Sequence, residues 1–217
     1  MYLFFNDSLF CDIIYYIGGY MIKTLDECID INDKRKELFI AISLGLLAFL
    51  VPTFLAKLIN IIFGVDSFMA THSQLIVGSI VNTALVISAL YLKGWKKILL
   101  IVTMPSISTI FSGYIFKTAS IYMVYMIPFI WLGNLALIYV YKSLFINKNK
   151  NYFLTGIIGI ILKVLIIFGF FSLLNICGVF PSKLVPVLKN AMGYIQAITA
   201  SIGVVLAYFI YKLNKRA

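Results

Sequence analysis

Apolar positions run through this chain in six long blocks separated by short polar stretches. Crossing a bilayer as a helix takes about 20 apolar residues, and each block is long enough. The blocks are Leu38–Gly64 (broken near Pro52), Thr71–Leu92, Ile98–Phe116, Ile121–Phe145, Tyr152–Asn175 and Ala191–Leu213. This pattern predicts an all-α integral membrane bundle of six transmembrane helices, formed by residues 37–217 as one domain. The connections are too short for a second folded unit. Residues 1–36 read as a separate N-terminal cytoplasmic or interfacial segment. In it, Leu9–Met21 is too short to span and is interrupted by Asp12, which suits an interfacial position. No basic leader precedes it and no small-residue cleavage pattern follows, so it does not resemble a signal peptide. Residues 23–37 mix both charges and predict a solvated helix start.

Composition supports the membrane class. Hydrophobic residues make up 62% of the 217, against roughly 45–50% in soluble domains. The net charge of +10 does not point to nucleic acid, because the basic residues fall in short loops rather than in a patch interleaved with stacking aromatics. One side of the predicted bundle collects the N-terminal segment, the second–third loop (Lys93, Lys96, Lys97), the fourth–fifth loop (Lys142, Lys148, Lys150) and the tail. That side holds 13 basic residues, and the other holds 3: Lys117, Lys183 and Lys189. Cytoplasmic loops of membrane proteins carry the Lys/Arg excess. Both termini are therefore expected in the cytoplasm, with the chain multi-pass in a bacterial cell membrane. The three cysteines, Cys11, Cys28 and Cys177, have no metal-ligand spacing. Neither a resident metal nor a cofactor is expected in this chain.

All eight acidic residues lie in the first 66 positions. Lys163, in the middle of the fifth block, has no acidic residue on its half of the chain. It stands about 11 residues from either end of that block, about 16 Å along a helix, which is too far for easy snorkelling. A charge at that depth is costly and normally has a partner or a job. An anionic ligand or a deprotonated amine would each resolve it. Lys57, nearer the outer end of its block, is expected to snorkel.

Other polar residues gather from the midplane to the outer half. Gln74, Gly78 and Asn82 are four apart and share one helix face. Asn134 and Gln196 are costly enough to bury that they are expected to line a pocket with Gln74 and Asn82. Trp131 and Tyr194 could stack on a ring, and His72 could hydrogen-bond at the pocket mouth. The stretches His72–Ile80 and Tyr194–Ile202 share Gln, Ile, Ser and Ile at equal spacing, which places the two glutamines at similar depth. In the first block Ala41, Gly45 and Ala48 form a small-residue stripe that suits close helix packing, within the chain or with a partner.

These features together resemble the substrate-binding S components of energy-coupling factor (ECF) transporters. The resemblance spans residues 38–213 and rests on layout: six spans, cytoplasmic termini, the stripe early in the first helix and a polar outer half. It implies uptake of a small, vitamin-like micronutrient. It also implies docking of Ala41, Gly45 and Ala48 on a transmembrane coupling subunit, with ATP consumed by cytosolic ATPase partners. Glycine stands at position 45 where the family motif has alanine. The loop 65–70, with Asp66, would cap the substrate. The chain has no P-loop of its own. His72–Asn82 and Met126–Asn134 also resemble small bacterial membrane proteins labelled iron hydrogenase, but three scattered cysteines cannot ligate an iron–sulfur cluster.

The expected function is a membrane-embedded binding subunit for a small, polar or anionic metabolite, not an enzyme. After Asp66 there is no carboxylate and after His72 no histidine, so acid–base chemistry has few candidates. The rival readings are an accessory or scaffold subunit, in which Lys163 faces a partner's acid, and a self-contained transporter. Missing membrane carboxylates disfavour the latter.

Overall fold

The computed structural model describes residues 23–25, 28, 34–64, 72–113, 115 and 117–215, and among them no strand occurs. Helix α1 (Lys34–Leu50) continues through a π-helical turn, Val51–Leu55, into α2 (Ala56–Phe63). Helices α3 (Ser73–Tyr91) and α4 (Trp95–Ser112) follow. A 3₁₀ stretch, Lys117–Met126, leads into α5 (Ile127–Val140), which ends in a π-helical stretch, Tyr141–Asn147. Then come α6 (Tyr152–Ile176), α7 (Val185–Met192) and α8 (Tyr194–Asn214).

Among the described residues, 5 continuous helical segments are long and apolar enough to cross a bilayer: Arg35–Phe63, Ser73–Tyr91, Ala119–Asn147, Tyr152–Ile176 and Val185–Asn214. They make the chain a multi-pass helical membrane protein. The block predicted over Ile98–Phe116 is the 18-residue helix α4. It is not among the five, because it opens with Trp95, Lys96 and Lys97 and carries Pro105 and five hydroxyl residues. It still packs against α1, α3 and α5. The proposed capping loop 65–70 and most of the N-terminal segment lie outside the described residues.

Local sequence explains the ends and breaks. Asn151 starts α6, its Oδ1 accepting from the N–H groups of Phe153 at 2.9 Å and Leu154 at 3.2 Å, as an N-cap should. Pro52 lacks an N–H, so the first helix widens into the π turn there. The hydroxyl of Ser108 on α4 donates to Phe49 O at 2.5 Å and is also bonded to the Thr53 hydroxyl. A neighbouring helix thus satisfies the disturbed backbone, as a low-dielectric setting requires. The predicted sixth block is helix α8, and the short helix α7 precedes it. They part at Gly193, where a Cβ would sit 2.9 Å from Lys189 O, so only glycine fits the break.

The small-residue stripe of α1 is used inside the chain. Ala41 and Ala48 are buried, and a Cβ on Gly45 would touch Leu100 of α4 at 3.4 Å. The ridge that α1 leaves uncovered is formed instead by Leu38, Phe39, Ile42 and Leu46.

The charged start of α1 is less solvated than its sequence suggests. Glu37 is 9% exposed; it accepts from Lys93 N–H at 2.6 Å and pairs with Lys97 Nζ at 2.9 Å. It ties α1 to the turn between α3 and α4. Glu37→Ala is expected to destabilise the fold by about 1–2 kcal/mol, mainly through the lost charged acceptor of a backbone N–H. The half-exposed lysine pair contributes little of this. Thermal melting in detergent beside Lys97→Ala measures it, and equal losses in the two variants would contradict this division.

Lys142 also departs from expectation. It was counted with the cytoplasmic loop, yet it is fully buried and donates to Leu92 O at 2.8 Å. There it closes the C-terminal end of α3, where a cation complements the helix dipole. The loop bias survives without it.

Candidate functional site

Two apolar clusters fill the bundle. The larger packs α3, α4, α5 and α8 around Leu85, Leu90, Ile101, Leu137 and Ala207. The smaller gathers Met126, Ile167, Phe171, Leu188 and Met192. Between them lies a cavity of about 90 Å³. Its walls come from the π turn (Pro52), α3, α4, the 3₁₀ stretch, α5, α6, α7 and α8.

Lys163 lines this cavity from the middle of α6 and is 2% exposed. Its Nζ donates to Asn82 Oδ1 at 2.5 Å. Asn82, 2% exposed on α3, donates from Nδ2 to Gly78 O at 2.8 Å and to Thr199 Oγ1 on α8 at 3.2 Å. The Thr199 hydroxyl in turn donates to Ile195 O at 2.8 Å. A polar chain therefore runs from α6 through α3 to α8 across an otherwise apolar interior. It depends on close approach of α3 and α8, the most extensively packed helix pair. A Cβ on Gly203 of α8 would fall 2.5 Å from Asn82 Cβ.

Four amides predicted from the sequence meet at the same cavity. Gln74, Asn82, Asn134 and Gln196 all line it with Lys163. The four-residue spacing of Gln74, Gly78 and Asn82 does what it predicted, turning all three to one wall. Gln74 also donates from Nε2 to Ala191 O at 3.4 Å, at the break between α7 and α8. Asn134 is 3% exposed, and its Oδ1 has no hydrogen-bond partner among the described residues. Such a group normally has one.

Three predicted residues do not reach the cavity lining. Tyr194 opens α8 just beyond the Gly193 break and is 57% exposed. Trp131 packs against the larger apolar cluster, with its indole N–H buried and unpartnered among the described residues. His72 caps the start of α3, two residues before Gln74 of the wall.

The sequence did not mark Thr199, the hinge of the polar chain, or Pro52, which admits the first helix to the cavity wall, as site residues. It missed buried Lys142 altogether. A signal was present, since Ser143-Leu-Phe-Ile146 continues the apolar run beyond that lysine.

Among the described residues no group of His, Cys, Asp or Glu could hold a metal ion. The only described carboxylate side chain is Glu37, which pairs with Lys97. Comparison with known protein families, curated proteins and solved structures finds no match, so the site is read from its own chemistry.

Proposed function

We propose that this chain is a membrane-embedded binding subunit for a small polar or anionic metabolite, with six spans and both termini in the cytoplasm. The observation that carries the reading is Lys163. A buried amine, paired with no acidic side chain among the described residues, lines a cavity walled by four amides. Building such a site in a membrane interior is costly unless it binds something. Uptake then depends on a separate ATP-driven coupling module, because the chain has no nucleotide-binding motif. Work as an S component of an ECF transporter fits this division of labour.

Enclosure of Lys163 by its own chain supports the binding reading over the scaffold one, in which the lysine would face a partner's acid. With the stripe of Ala41, Gly45 and Ala48 buried within the chain, the uncovered ridge of α1 is the better surface for a coupling subunit.

Native mass spectrometry of the purified chain, beside Lys163→Met, tests the proposal. The expected result is a small molecule that co-purifies with the parent and is lost from the variant. An empty parent, with an equally stable and equally empty variant, would transfer the weight to the accessory-subunit reading.

A further inference from the structure

We infer that the Lys163 cavity is built for a compact carboxylate that also carries a neutral hydrogen-bond donor, such as a short hydroxy acid, and not for a ring-sized vitamin. This rests on the binding reading above and specifies its ligand. Three observations converge on it.

The first is size. The cavity measures about 90 Å³. An apolar cavity of about 150 Å³ takes one benzene, and a water occupies about 30 Å³ of liquid. The space here suits a molecule smaller than benzene, or a few waters, whereas drug-sized ligands occupy about 300 Å³ or more.

The second is an unspent cation. Lys163 Nζ has three donor positions when protonated, and Asn82 Oδ1 is the one hydrogen-bond acceptor the described residues give it. A carboxylate oxygen would satisfy what remains and neutralise the charge.

The third is an unspent acceptor. Asn134 Oδ1, buried on the same cavity, accepts nothing from the described residues. A bare carboxylate has no donor to offer it. A hydroxyl next to the carboxylate does, so a ligand with both groups satisfies both sides of the cavity. The rest of the lining is mostly apolar, with Val77, Val81, Ile127, Ile130 and Met192, and it accommodates a short carbon backbone but no second charge.

Equilibrium binding of labelled glycolate, acetate and benzoate to the full chain in lipid nanodiscs tests this. Glycolate and acetate share a carboxylate, and only glycolate carries the donor. Benzoate has the charge but exceeds the volume. Glycolate is expected to bind saturably, acetate about tenfold or more weakly, and benzoate not at all, because a site built around a hydrogen bond rejects the analogue that lacks it. Asn134→Leu is expected to erase the difference between glycolate and acetate. Lys163→Met is expected to abolish the binding of both. Equal binding of glycolate and acetate by the parent would overturn the donor requirement. Binding of benzoate through Lys163, with none of glycolate, would overturn the size argument and leave the binding-subunit reading standing. Failure of all three acids would overturn the inference outright, and the mass-spectrometric comparison then decides independently whether the site binds anything.

Discussion

Asn82→Leu is expected to destabilise the protein by about 3 kcal/mol, although it swaps one side chain for another of similar volume. The substitution removes the acceptor of Lys163 Nζ and strands a buried amine donor. Leaving a buried polar group unpaired costs about 1–3 kcal/mol, and more when it is charged. The lost donation to Thr199 adds little, because that hydroxyl keeps its bond to Ile195 O. The double variant Asn82→Leu/Lys163→Met isolates the cause. Replacing both partners by apolar groups of similar shape is nearly neutral, so the pair should recover to within about 1 kcal/mol of the parent. Thermal melts of the four proteins in one detergent form a double-mutant cycle, whose coupling energy reports the contact. A double variant no more stable than Asn82→Leu alone would mean that the damage lies in helix packing, not in the stranded lysine.

The second large effect is expected at Gly203. A Cβ there would fall 2.5 Å from Asn82 Cβ and 2.8 Å from the Asn82 carbonyl carbon and Thr83 N. Backbone cannot rotate aside, so Gly203→Ala must push α8 from α3. Overpacking of this kind costs about 1–3 kcal/mol. It also moves Asn82 relative to Lys163, so ligand retention should fall with stability. Gly78→Ala is gentler, because its nearest neighbour is the Thr199 Cγ2 methyl at 2.9 Å, and a side chain can adjust. Gly169→Ala meets nothing within 4 Å and should melt like the parent. The expected order of melting temperatures is Gly203→Ala lowest, Gly78→Ala intermediate and Gly169→Ala unchanged. If Gly203→Ala melts like Gly169→Ala, the close α3–α8 approach is not what holds the site.

The sequence by itself determined the helical membrane class, because run length and apolar content are properties of the chain alone. It also marked Lys163 and the amides on α3. A polar side chain in a long apolar run stands out, and the four-residue spacing of Gln74, Gly78 and Asn82 fixes a shared face without reference to any neighbour. Which of these groups would meet was decided only by the tertiary structure. Asn82 reaches Lys163 across 81 positions, a distance that no local period encodes. Lys142 looked like a loop cation because its apolar flank on one side is only four residues, yet the α3 carbonyl end at Leu92 offers it a buried acceptor. Ala41, Gly45 and Ala48 are flat enough for any helix, and burial within the chain took them, with Leu100 of α4 covering Gly45. Trp131 and Tyr194 left the site for a similar reason. Their directions depend on how α5 packs and where Gly193 breaks the last helix, and both are settled by contacts between segments.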